Sequence, residues 1–220
     1  MQVTQKHHQM DSQRVCNSQN RIDVTVWSDT SVGGDRNNKF GFSFLLVRQL
    51  DREALLQGRP QKIAGLHIKR AASNELLPFD SEISTVELAF RGKSELHAIV
   101  HGLEWAAKAP LQNSDIQSWE SKSFKDTVAP SLGDPAMLTI TRQYGYDLDG
   151  YGAFSKDDTL MRIAIDSDFG LEATFDDDES LDDVIFIEIE CADGSLFRKA
   201  LALAGSMLRD IVSSQGIVLS

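Results

Sequence analysis

Residues 184–205, VIFIEIECADGSLFRKALALAG, join an alternating strand to an amphipathic helix through a Gly-Ser turn. In the first part of this stretch, apolar side chains recur at every second position, which is the period of a β-strand. After Gly194, apolar residues recur at spacings of three and four, which is typical of a helix packed on one side. The stretch therefore predicts a strand that ends at a turn and is closed by a helix.

The same order occurs earlier in the chain. An alternating segment at 86–90 leads through Gly92 into a helical pattern over 94–108, in which Ser94 is a candidate N-cap. Further upstream, the alternating segments 22–26 and 40–46 flank a turn-rich stretch and predict a hairpin. The pattern predicts an α+β fold of antiparallel β-meanders, each closed by an amphipathic helix. A tandem ββββα repeat is one arrangement that fits.

The predicted organisation has three parts. Residues 1–20 are polar and predict a flexible leader. Residues 21–110 form the first meander and helix, and residues 111–220 form the second, with the acidic segment in it. The sequence leaves open whether the two halves share one continuous domain.

Composition narrows the class of protein. The chain is 41% hydrophobic and 25% charged, as expected for an ordinary globular protein. It contains no run of about 20 apolar residues that could cross a bilayer, and its beginning lacks the apolar segment of a signal peptide. Cys16 and Cys191 are too few for a disulfide framework or a four-cysteine zinc site. We expect a cytoplasmic protein with no membrane partner and no cofactor.

Negative charge is concentrated in one segment. Between Gly145 and Glu190 the chain has 15 acidic residues and only Lys156 and Arg162 as bases, which gives this segment a formal charge of −13 in a chain of −11. Such a field repels phosphate groups and attracts basic protein surfaces. The sequence therefore favours a basic protein partner and disfavours direct binding of nucleic acid.

We predict that the acidic side chains of this segment form the partner-binding surface. On the last strand, Ile185, Ile187 and Ile189 are predicted to share one face, with Val184 and Phe186 on the other. The aromatic residues Tyr151, Phe154, Phe169 and Phe175 are candidate apolar anchors. The predicted binding residues are Asp166, Asp168, Glu172, Asp176, Asp177, Asp178, Glu179, Asp182, Asp183, Glu188 and Glu190.

The order of segments resembles a group of small bacterial immunity proteins directed against polymorphic toxins. The segments that carry this resemblance are GLEWAAK (102–108), SWES (118–121), DLDGYGAFS (147–155) and IEIECADGSLFRKALALAG (187–205). The resemblance implies a non-enzymatic antidote that occludes the active site of a toxin. An inhibitor of a host nuclease complex encoded by a phage would have the same charge signature.

An alternative prediction is enzymatic. WSDTSVGG (27–34), SELHAIVHGLEWAAK (94–108) and WESKS (119–123) resemble the acidic motifs of ribonuclease H-like nucleases. The resemblance implies that Asp29, Glu95 and Glu120 are metal ligands. Converging carboxylates of this kind can hold two magnesium ions for phosphodiester hydrolysis.

Two weaker metal patterns are also present. Asp147, Asp149 and Asp158 occupy positions 1, 3 and 12 of a spacing similar to that of an EF-hand, but strand-like segments flank them where helices belong. His97 and His101 lie one helical turn apart, without an obvious third ligand. A polar hairpin connection explains the aspartates equally well, and for the histidine pair we favour a solvated helix face over a zinc site.

Overall fold

The computed structural model describes residues 8–30, 38–48, 56–57, 66–72, 75–108, 120–125, 137–145, 160–176 and 179–214. The strands are β1 (His8–Cys16), β2 (Asn20–Asp29), β3 (Lys39–Arg48), β4 (Leu66–Ala72), β5 (Glu75–Ile83), β6 (Thr85–Arg91), β7 (Glu120–Lys125), β8 (Met137–Gly145), β9 (Leu160–Phe175) and β10 (Glu179–Cys191). The helices are α1 (Lys93–Ala106) and α2 (Gly194–Ser214).

All strand pairs are antiparallel, and the fold is α+β as predicted. The strands follow the order β1-β2-β3-β6-β9-β10-β4-β5, and β8 and β7 extend the sheet from β9. The predicted hairpin is present as β2 and β3, which pair without interruption from Asn20 opposite Arg48 to Asp29 opposite Lys39.

The 16-residue strand β9 organises the sheet. Along one edge, its first part pairs with β8, from Leu160 to Ser167, and its last part pairs with β6, from Glu172 to Phe175. After β6 the chain forms α1 and then the hairpin strands β7 and β8, of which β8 pairs with the same edge of β9. The sheet therefore forks beside residues 168–171 of β9, between β6 and β8.

The tandem ββββα repeat is not confirmed. Strand β6 from the first half pairs with β9 from the second half, and β4 pairs with β10. The two halves therefore contribute to one continuous sheet, because strands distant in sequence satisfy each other's main-chain groups. The prediction of a flexible leader also fails for part of its length, since His8–Cys16 forms β1 and pairs with β2 over nine residues.

Both helices pack on the same face of the sheet. Side chains at alternate positions of β2, beginning with Ile22, are fully buried on this face. Phe44 of β3 meets Phe197 of α2 edge to face, with ring centroids 5.5 Å apart. Each fully buried phenylalanine contributes roughly 2 to 3 kcal/mol through removal of apolar surface from water. The other face of the sheet carries neither helix, and we call it the helix-free face.

The N-terminal ends of the two helices differ from the prediction, because Ser94 is not the N-cap of α1. Gly92 is the N-cap of α1, with φ of 97°, and no side chain caps this helix end by a hydrogen bond. At α2, Asp193 Oδ1 accepts a hydrogen bond from the main-chain N of Leu196 at 3.2 Å. Its other oxygen accepts bonds from the side-chain amides of Asn17 at 2.6 Å and Asn20 at 3.0 Å. Asp193 therefore ties the start of α2 to the β1–β2 turn.

Candidate functional site

A row of exposed carboxylates lies along β9 on the helix-free face. Asp166 and Asp168 are exposed, whereas the alternate residues Ile165 and Ser167 are buried on the helix side. Neighbouring side chains on one face of a strand are separated by about 6.8 Å along the strand. The sequence predicted both aspartates as binding residues, and the structure places them side by side.

A bulge in β10 adds Asp183 to this row. The β9–β10 register shifts on both sides of Val184, and Asp183 has a positive φ of 56°. Asp183 lies over Gly170, where an added Cβ would come within 2.7 Å of Asp183 Oδ1 and 3.1 Å of Asp183 Cα. Because Gly170 has no side chain, the bulged strand can approach β9 this closely. We call Asp166, Asp168 and Asp183 the acid row.

The acid row is not neutralised within the described part of the chain. No lysine or arginine described in the structure forms an ion pair with any of the three aspartates. Asp168 Oδ1 accepts a hydrogen bond from the main-chain N of Met137 at 2.7 Å, which fixes its side chain at the start of β8. The row therefore presents fixed negative charge to solvent.

Glu172, also predicted to bind a partner, is instead paired within the chain. Its carboxylate bonds to the ammonium group of Lys39, and its other oxygen lies 3.2 Å from Arg91 Nη2. Partial burial by itself would raise the pKa of Glu172. The hydrogen bonds and positive charges of Lys39 and Arg91 outweigh it, so the pKa lies below its ordinary value. Glu172 thus holds β3, β6 and β9 together at the fork.

Glu188 and Glu190 are likewise engaged in an internal ion pair. Arg162 Nε donates to Glu190 Oε2 at 2.6 Å and lies 3.5 Å from Glu188 Oε1. These two side chains are only 14% and 20% exposed. The carboxylates that alternate along β10 therefore stabilise the sheet between β9 and β10.

The remaining predicted acids divide into three cases. Asp176 Oδ1 accepts main-chain hydrogen bonds from Ser84 and Thr85, both at 2.8 Å, so this carboxylate organises a turn. Asp182 is exposed beside the acid row. Asp177, Asp178 and the side chain of Glu179 lie outside the described residues.

The predicted apolar anchors need correction. Phe175 is 3% exposed and belongs to the core, and Phe169 packs partly buried against it. Tyr151 and Phe154 lie outside the described residues. The bulge changes the predicted facing only at the start of this face, where Val184 is buried and Ile185 is 38% exposed, whereas Ile187 and Ile189 are fully buried on one face as predicted. Ile185 is therefore an exposed apolar side chain near the acid row, and regular alternation could not reveal it.

The three carboxylates of the nuclease prediction do not come together. Glu95 lies in the first turn of α1. Glu120 accepts hydrogen bonds from Arg142 Nε and Nη2 at 3.0 and 2.6 Å, and Arg142 Nη1 donates to the carbonyl of Trp105 in the last turn of α1. The rise of the helix from Glu95 to Trp105 is about 15 Å. Glu95 and Glu120 therefore lie near opposite ends of α1, too far apart for one metal pair.

The part of the chain that the structure describes contains no cluster of side chains suited to a metal ion. There, no group of three or more His, Cys, Asp or Glu side chains could hold a metal ion. His97 is buried, and its ring centroid lies 6.4 Å from that of His101. The calcium candidates Asp147, Asp149 and Asp158 lie outside the described residues. Neither helix has the length and apolar character needed to cross a membrane.

Comparisons with known proteins add no further assignment. No protein-family model, curated protein or solved structure matches this chain.

Proposed function

We propose that this protein is a non-enzymatic acidic inhibitor, which binds a basic protein and occludes its functional surface. Suitable partners are a nuclease toxin or another nucleic-acid-binding complex. The observation that carries the proposal is the acid row, in which three ordered carboxylates face solvent without a cationic partner in the described residues.

Electrostatics explains why such a surface suits a basic partner. Fixed charges of one sign steer an oppositely charged surface during diffusion and raise the association rate. The same charges oppose binding to nucleic acid, since affinity for a polyanion requires lysine and arginine to neutralise phosphates. A protein that competes with nucleic acid for a basic surface needs this distribution of charge.

The position of the acid row also supports the proposal. The row lies on the helix-free face, near the middle of the strand order, where neither α1 nor α2 restricts the approach of another protein. Standard protein interfaces bury about 800 Å² on each partner. Exposed Ile185 lies beside the row and supplies apolar surface, which contributes affinity that charge alone does not.

The resemblance to immunity proteins agrees with this function but rests on the order of segments alone. An immunity protein would act on a toxin of a competing or related cell, and a phage inhibitor would act on a host complex. Both would bind stoichiometrically and block access of nucleic acid. Identification of the bound protein, as a toxin or as a host complex, distinguishes the two alternatives.

The first test is recovery of the partner from a native lysate at low and at moderate salt. Tagged wild-type protein is compared with two variants that each remove two negative charges. In the first variant, Asp166→Asn and Asp183→Asn alter the acid row, and asparagine tolerates the positive φ at 183. In the matched control, Asp11→Asn and Asp210→Asn alter exposed acids elsewhere.

A basic protein retained by the wild type and the control, but lost by the acid-row variant and at higher salt, is the expected result. Equal recovery by both variants would remove the acid row from the mechanism. Recovery of nucleic acid without protein would contradict the proposed partner class.

A further inference from the structure

The described sheet has three outer strands, and they differ in how well they are protected against pairing with another chain. Strand β5 contains Pro78, and its register with β4 is shifted. Strand β7 is six residues long and carries the exposed lysines Lys122 and Lys125. Proline, register irregularities, short length and charged side chains, above all lysine, are features with which proteins block sheet edges.

Strand β1 is protected less than the other two, since its only Asp or Arg side chains are Asp11 and Arg14, which carry opposite charges. It pairs with β2 over nine consecutive residues without a register shift, and its sequence HQMDSQRVC contains no proline and no lysine. Among the described strands, none pairs with its outer side. At every second residue of β1 the main-chain N–H and C=O point to this outer side, where they have no partner strand among the described residues.

Contacts within the chain hold β1 in place. Ser12 Oγ and Thr25 Oγ1 are 2.8 Å apart in a cross-strand hydrogen bond, and Val15 packs against the core. At the end of α2, Ser214 Oγ donates a hydrogen bond to Gln9 Oε1 at 3.1 Å. The edge is thus preformed, so a second strand can add to it at little conformational cost.

We propose that two copies of this chain pair antiparallel through β1, about a two-fold axis that passes beside Ser12. This register uses the entire strand, because it places His8 opposite Cys16 of the second copy. It also places Met10 opposite Arg14 of the second copy, and Asp11 opposite Gln13. A two-fold axis at Asp11 would instead oppose two carboxylates directly, which destabilises a strand pair.

Charge favours a second copy at this edge over an oppositely charged partner. With histidine neutral, Asp11 and Arg14 give β1 no net formal charge, whereas the chain as a whole carries −11. The acid row lies on and beside β9, four strands away, or roughly 19 Å from β1. Paired copies would hold their acid rows roughly 40 Å apart, far beyond the screening length of about 10 Å at 0.1 M salt.

The test is sedimentation velocity of the full chain over a range of concentrations, with two variants at Met10, whose side chain is 64% exposed. In the dimer, Met10→Lys places a lysine opposite Arg14 of the other copy at two symmetric positions. We expect this repulsion to raise the dissociation constant of the dimer roughly 3- to 30-fold. Met10→Glu creates attractive pairs at the same positions and is expected to dimerise at least as well as the wild type. A monomer at all concentrations, or equal affinities for both variants, would overturn the proposal.

A second measurement fixes the register. In a Cys16→Ser background, Ser12→Cys is expected to form an intermolecular disulfide under mild oxidation, since residues opposite each other at the two-fold axis have Cα atoms about 4.5 to 5.5 Å apart. Absence of this crosslink in a dimeric sample would overturn the proposed pairing. Dimerisation is expected to persist as salt rises, whereas partner binding through the acid row weakens, so the two proposals fail independently.

Discussion

The guanidinium of Arg142 stacks on the indole of Trp105, with its central carbon 4.3 Å from the ring centroid. Arg142 Nη1 also donates to the carbonyl oxygen of Trp105 at 2.6 Å and to that of Lys108 at 3.3 Å. One arginine from β8 therefore satisfies the carbonyl end of α1 and covers its tryptophan.

We predict that Arg142→Ala destabilises the protein more than Glu120→Gln does. The arginine side chain is 10% exposed, and its loss leaves helix carbonyls without a donor, at an expected cost of about 3 kcal/mol. Glu120 is 35% exposed, so its charge contributes about 1 kcal/mol or less. Urea unfolding of both variants measures the difference. Equal losses would contradict the assigned role of Arg142.

We predict that any side chain at position 41 destabilises the protein while Trp27 is present. The two residues are opposite each other in the β2–β3 pair, and the indole occupies the space that a Cβ at position 41 would need. Gly41→Ala should cost about 1 to 3 kcal/mol and shift the tryptophan fluorescence. In a Trp27→Ala background the same change should cost much less. If the effects of the two substitutions on the unfolding free energy were additive, the Trp27 indole would not restrict position 41.

We predict that the ion pairs of Glu172 make the unfolding free energy of the protein decrease at acidic pH. Its folded pKa lies below the ordinary value, so the folded carboxyl group binds its proton less readily than the unfolded one. This stabilisation is therefore present above the ordinary glutamate pKa of about 4.3 and is lost as the pH falls through the lower, folded pKa. Glu172→Gln should reduce the slope of unfolding free energy against pH below about 4.3. An unchanged slope would count against the pairing with Lys39 and Arg91.

The two cysteines should differ strongly in reactivity. Burial, reinforced by the negative charges of Asp193 and Glu190, raises the pKa of the Cys191 thiol to about 12 despite its contact with the Asp193 carbonyl. Cys16 is exposed on β1. Titration with a thiol reagent at neutral pH should detect one reactive thiol in the native protein and two after denaturation. Rapid reaction of Cys191 in the folded protein would contradict its buried position.

Charge reversal at Asp176 and at Asp166 should have different consequences. Asp176→Lys removes two main-chain hydrogen bonds and should lower the unfolding free energy by about 1 to 3 kcal/mol. Asp166→Lys changes an exposed side chain and should leave stability within about 0.5 kcal/mol of the wild type. Once a basic partner is identified, Asp166→Lys should slow association and flatten its salt dependence. Thermal denaturation and stopped-flow association measure the two effects.

The local patterns were predictable because each depends on neighbouring residues. Alternation gave β2, β3 and β6, and helical spacing placed α1 over Lys93–Ala106, close to the predicted 94–108. The polar composition of residues 8–16 concealed β1, since an edge strand with little burial carries few apolar residues. For the candidate site, the sequence predicted Asp166, Asp168 and Asp183 together with Glu172, Glu188 and Glu190, and it could not show that the three glutamates are paired within the chain.

The amino-acid sequence by itself determined the α+β class, the hairpin, both helices and the concentration of negative charge. The tertiary structure alone decided how the halves merge and which of the described carboxylates form no ion pair. Both depend on contacts between residues far apart in the chain, such as Lys39 with Glu172, which are 133 residues apart. The bulge at Asp183 also depends on a contact between distant residues, because it requires Gly170 on the neighbouring strand. Local periodicity reports which side chains are apolar, whereas strand pairing over long distances determines which charges meet.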